Sequence, residues 1–121
     1  MVQLIKRYKG DIDLLYLKVD KDYQIVRTID AGDMILDFDK DNKLVAVELL
    51  QASKILNISS DILKEDFDAK VKVRSERSDV IADASFSFII DGKDVARHVH
   101  AKTTVPDISI SNQNLKLIEK T

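Results

Sequence analysis

Apolar residues recur at every second position through much of the chain, in short runs separated by polar clusters. That period of two places alternate side chains on one face of a half-buried strand. Residues 13–19 predict a first strand, ended by Asp20, Lys21 and Asp22. Residues 23–29 predict a second, with Tyr23, Ile25 and Ile29 alternating against Gln24 and Thr28, although Val26 and Arg27 interrupt the period. A turn through Asp30, Ala31, Gly32 and Asp33 leads to a third strand over 34–38, and Gly32 suits a positive φ there. A fourth strand covers 43–50, after a turn of Asp39, Lys40, Asp41 and Asn42. Four short strands on short polar turns predict an antiparallel meander. The period then changes: residues 51–56 predict a short helix and residues 61–66 another, with Ser60 as its N-cap.

The second half alternates more cleanly. Residues 68–74 oppose Ala69, Val71 and Val73 to Lys70, Lys72 and Arg74. In the run 80–90, Val80, Ala82, Ala84, Phe86, Phe88 and Ile90 share a face. Asp91-Gly92 is a strong two-residue hairpin signal, and the return strand runs over 93–105 to Pro106. Such a turn sets Ile90 against Lys93, Ala84 against Val99 and Ala82 against Ala101. It also sets Asp83 against His100 and Ser85 against His98, and leaves Arg97 opposite Phe86 as the exception. Residues 107–111 predict a last short strand, and the tail from Asn112 is expected to fray or dock as an edge.

Composition narrows the picture. A chain of 121 residues with 45% hydrophobic and 33% charged residues can fold on its own core. It has no cysteine, so disulfides, thiolate zinc sites and thiol nucleophiles are excluded. Net charge is −2: residues 1–60 hold 9 basic and 10 acidic groups, and residues 61–121 hold 10 and 11. Neither half has the basic excess of a nucleic-acid binder. The charged start and the lack of a long apolar run predict neither signal peptide nor membrane partner, and a cytosolic location.

Three segments carry a resemblance. Residues 11–17 (Asp11, Ile12, Asp13, Leu14, Leu15, Tyr16, Leu17), residues 35–39 with Asp37 and Asp39, and residues 44–53 with Glu48, Ala52 and Ser53 resemble the domain of unknown function 2283 family. That family combines an "Asp, then Leu-Tyr-Ile" start, a "Leu-Asp-x-Asp" middle and an "Ile-Glu-Ile-Leu-x-Ala-Ser" end. The likeness covers residues 6–56. Ala46 departs from it, standing where the family usually has glycine. The resemblance implies no enzymatic activity, and some members look like partners of adjacent small toxins.

Two constellations could carry chemistry. Asp37, Asp39 and Asp41 fall at positions one, three and five of a calcium-loop spacing, with Leu44 at the eighth and Glu48 at the twelfth. Asn42 replaces the usual glycine, and strand flanks argue for a solvated hairpin turn instead. His98 and His100 share one strand face, and Asp83 opposite them could act as a third metal ligand or an imidazole-orienting carboxylate. The same three could work as an acid–base pair, or simply pair across strands for roughly 0.2–1 kcal/mol. No Gly-x-Ser-x-Gly elbow and no glycine-rich phosphate loop occurs.

The expected fold is α+β and mostly antiparallel β. Residues 1–57 form a four-strand meander with a short helix; residues 58–121 form a short helix and a hairpin-based sheet, sharing a core with the first unit. The expected function is binding or assembly without catalysis and without a cofactor. The partner is a protein, with homodimerisation or neutralisation of a small toxin as specific forms. A metal-dependent or acid–base enzyme using His98, His100 and Asp83 is the alternative, and calcium binding at residues 37–48 a more distant one.

Overall fold

The computed structural model describes residues 2–118. Its first strand, β1 (Val2–Lys9), lies where Lys6, Arg7 and Lys9 dilute the apolar pattern, so alternation alone does not mark it. The chain turns through residues 10–13 into β2 (Leu14–Val19), with Leu4 opposite Val19 and Tyr8 opposite Leu15. β3 (Arg27–Asp30), β4 (Met34–Phe38) and β5 (Leu44–Leu50) follow as consecutive antiparallel neighbours.

The four expected strands are present, but they do not form a meander. Their spatial order is β3-β4-β5-β2, so β2 lies beside β5, with Leu17 opposite Val47 and Leu15 opposite Leu49. This is a Greek-key return. The reason is the match of buried side chains: β2 and β5 each offer several fully buried residues, whereas β3 buries only Ile29 and suits an edge. Residues 23–26 are accordingly part of a connection rather than of β3.

Two short helices follow, α1 (Ala52–Leu56) and α2 (Ser60–Leu63). The cap of α2 is Ser59, whose side chain accepts the Ile62 amide, one residue earlier than the pattern predicts. Helices this short need tertiary support. Arg97 supplies part of it for α1, its Nε donating to the Leu56 carbonyl at 2.8 Å. That contact explains why a charged residue stands opposite Phe86.

The second half comprises β6 (Asp68–Glu76), β7 (Asp79–Ile90), β8 (Lys93–Thr104) and β9 (Gln113–Leu117). Asp91 and Gly92 both take positive φ, 52° and 77°, as a type I′ turn requires. The register from Ile90–Lys93 through Asp83–His100 to Ala82–Ala101 is the one that the turn predicts. No strand forms over 107–111, and the tail is not an edge. β9 sits inside the sheet, antiparallel to β6 and parallel to β1, with Val2 opposite Leu115. Buried Leu115 and Leu117 continue the apolar surface between Leu4 and Val71, which draws the tail into that slot.

The result is one mixed nine-stranded sheet in the order β3-β4-β5-β2-β1-β9-β6-β7-β8, rather than a purely antiparallel one. A single apolar cluster runs along one face and draws on both halves. Phe67, Phe86 and Phe88 meet there with ring centroids 4.9–6.1 Å apart. Among the described residues, no helix is long and apolar enough to cross a membrane.

Candidate functional site

β7 and β8 bring the three predicted residues together on the face away from the core. His100 Nδ1 lies 2.6 Å from Asp83 Oδ1, and His98 Nε2 lies 3.5 Å from the same oxygen. Strand alternation sets this arrangement: His98 and His100 are two residues apart, and Asp83 is directly opposite His100. Both imidazoles are more than half exposed, while Asp83 is 27% exposed. One carboxylate oxygen therefore holds the His100 ring by a hydrogen bond and lies within ion-pair distance of His98. Among the described residues, no group of three or more His, Cys, Asp or Glu side chains is placed to hold a metal ion.

The acidic segment 37–42 covers the end of β4 and the turn into β5, without the helical flanks of a calcium loop. Asp39 Oδ1 accepts the amides of Asp41 at 2.9 Å and Lys43 at 3.0 Å, so it braces the turn. Asn42 takes the left-handed conformation there, φ 56°. Asp37 and Glu48 point to one face of the sheet, since Asp37 is opposite Ala46 and Ile35 is opposite Glu48. Asp37 is buried and accepts the Thr28 hydroxyl at 2.7 Å. Burial, and secondarily the charge of Asp37, pushes the Glu48 carboxyl up; Lys9 opposes them.

Tyr16 stands beside Glu48 on that face, and its hydroxyl lies 3.2 Å from the Tyr23 hydroxyl. Burial, then the Tyr23 contact and the nearby carboxylates, pushes the Tyr16 phenol up. The gathering of Tyr16, Tyr23, Asp37 and Glu48 is not visible from sequence spacing. Finding it requires the β2–β5 pairing, which the meander expectation does not contain.

A third cluster explains other motif residues. Asp13, in the left-handed region at φ 51°, accepts the Tyr8 hydroxyl at 2.7 Å, the Ser53 hydroxyl at 2.6 Å and the Ser53 amide at 3.0 Å. Its backbone carbonyl accepts the Ala52 amide. The β1–β2 turn thereby holds the first turn of α1, which has no side-chain cap of its own. Burial raises the Asp13 carboxyl, but bonds from Ser53 and Tyr8 outweigh it and hold it below the usual range. Burial and the neighbouring Asp13 push the Tyr8 phenol up to about 12.

Comparison with known proteins agrees with these segments. The model of a family described as "Protein of unknown function (DUF2283)" matches residues 7–53. The matched segment runs from the end of β1 to the start of α1 and is similar to that family. A relative described as "Uncharacterized protein MJ0789", from Methanocaldococcus jannaschii, is 33% identical over 72 residues. The match covers 57% of this chain and 60% of the relative, so the chain spans about three-fifths of that relative's length. No solved structure matches the chain.

Proposed function

We propose that this protein is a binding or assembly protein without catalytic activity, acting through the open edge of β8. The supporting observation is that this strand is twelve residues long and pairs with β7 on one side only. In a two-residue hairpin the pair flanking the turn exchanges both backbone bonds, and bonded pairs then alternate. Lys93, Val95, Arg97, Val99, Ala101 and Thr103 therefore bond to β7. His98, His100 and the other even-numbered residues of β8 aim their amides and carbonyls outward. Among the described residues no strand lies on that side. An edge of this length with no strand beside it is a template for an added strand. A second copy of this chain is the simplest donor; neutralising a small toxin is another form of such binding, and rests on the family resemblance alone.

Sedimentation velocity over a range of concentrations tests this. The wild type should self-associate, and Ala96→Pro should weaken the association, because it removes an outward amide and spares the β7 ladder. A wild type that stays monomeric at the highest concentration sinks edge-mediated self-assembly.

The 2.6 Å contact between His100 and Asp83 favours a second reading, an acid–base or metal-dependent enzyme using His98, His100 and Asp83. Metal analysis of the purified protein, with His100→Ala alongside, addresses it. No bound metal and no change on substitution would remove this reading.

A further inference from the structure

The even spread of charge along the sequence conceals a local segregation on the sheet. On the face away from the core, one ladder row runs across four strands: Lys116 on β9, Lys70 on β6, Ser85 on β7 and His98 on β8. The next row carries Asn114, Lys72, Asp83 and His100. Lys70 and Lys116 are direct cross-strand partners, a like-charge arrangement that is destabilising by itself. No ion pair joins Lys70, Lys72 or Lys116 to a carboxylate among the described residues, whereas Arg74 has Glu76 and Lys102 has Asp79. The one carboxylate inside the two rows, Asp83, already faces both imidazoles. A depression of about 490 Å³ opens here, lined by Lys70, Lys72, Asp83, Ser85 and His98.

We propose that this face binds a compact phosphate-type oxyanion, held by Lys70, Lys72 and Lys116 with Ser85 and His98 as further donors. Two ammonium groups facing each other across strands leave a charge that a dianion would neutralise, and charge-assisted hydrogen bonds to its oxygens are the strong kind. Ser85 brings a hydroxyl donor to the same row, and Asp83 is hydrogen-bonded to His100 rather than to His98. The extent of the patch selects for size. Asp68 and Asp94 close the face at one end, and Glu76 and Asp79 close it at the other. No Phe, Tyr or Trp side chain lies in the two rows, so the large-ring stacking platform typical of base-binding sheets is missing as well. The chemistry fits a single phosphate or pyrophosphate group on a small molecule, not a phosphodiester track. This inference concerns the face of the sheet and is independent of edge pairing by β8.

The test is a titration of the ¹⁵N-labelled full chain with inorganic phosphate and then pyrophosphate, at constant ionic strength, followed by amide shifts. Saturable shifts confined to β6, β7, β8 and β9 around Lys70, Lys72, Lys116 and His98 are expected. The variant Lys70→Gln/Lys116→Gln should weaken binding about tenfold, equivalent to roughly 1.4 kcal/mol. Lys18→Gln/Lys93→Gln, matched in charge and remote from the depression, should not. Absence of saturation at millimolar pyrophosphate overturns the proposal, and so do shifts scattered over unrelated lysines. A duplex oligonucleotide binding more tightly than pyrophosphate through the same residues also overturns it, since the ligand would then be an extended polyanion. Circular dichroism confirms that the variants remain folded; both exchange side chains that lie outside the apolar core.

Discussion

The Asp13 carboxylate accepts the hydroxyl of Ser53 at 2.6 Å across forty positions of sequence. It ties the turn after β1 to the first turn of α1. Asp13→Asn keeps a residue that tolerates the left-handed backbone and removes the charge together with one of the two accepting oxygens. The expected cost is about 1–3 kcal/mol, the range for a helix cap combined with hydrogen bonds to a charged acceptor. Because the folded pKa lies below the unfolded one, the wild-type advantage is present at neutral pH. It is lost as pH falls below ~3.9 through the folded value. Urea unfolding of both proteins at several pH values reads this as a gap that closes in acid.

Glu48 should behave in the opposite sense. Its carboxyl is raised by burial and by Asp37, so the ionised form is less comfortable folded than unfolded. Native stability therefore gains as pH falls through the folded pKa. Glu48→Gln should be more stable than wild type at neutral pH, with the difference vanishing below the unfolded value of ~4.3. Thermal unfolding at neutral and acidic pH distinguishes this from a simple packing effect, which would persist in acid.

Arg97 joins β8 to the end of α1 through the Leu56 carbonyl, and its Nη2 reaches the Asn57 carbonyl at 3.5 Å. Arg97→Ala leaves those terminal carbonyls without their cation and should cost about 1–2 kcal/mol. Equilibrium denaturation should show a lower midpoint at unchanged slope. Amide exchange should quicken in α1 more than in β7.

Phe67 is fully buried between Phe86 and Phe88, with the Lys6 ammonium 4.5 Å from its ring centroid. Phe67→Ala should cost about 3–5 kcal/mol, and Phe67→Leu markedly less. The same denaturation measurement checks both. A cost for Phe67→Ala below about 1 kcal/mol would contradict the packing described above.

How far the sequence speaks depends on whether the deciding interaction is local. The β7–β8 hairpin is legible because Asp91-Gly92 admits few registers, and only one matches Ala82 with Ala101 and Asp83 with His100. The β2–β5 pairing is not legible, because residues 20–26 look equally suited to a tight turn and to a crossover. β1 hides behind Lys6 and Arg7, and β9 behind a polar stretch that ends in only two inward leucines. The same division holds for the sites. The Asp83, His98 and His100 cluster follows from one turn, whereas the rows around Lys70 and Lys116 require knowing that β9 lies beside β6.

The parallel contact of β1 with β9 sets a timetable. Val2 and Leu115 belong to opposite ends of the described chain, yet they meet in the middle of the sheet. While the chain emerges from a ribosome, β1 must wait with one flank bare until residues 113–117 have appeared. Closing a loop of that length is slow relative to the local hairpins. Loss of β9 would leave two raw edges, on β1 and β6, where the finished protein has none. Truncation near Ser111 should therefore yield a sticky, incompletely folded product rather than a shortened version of the same molecule.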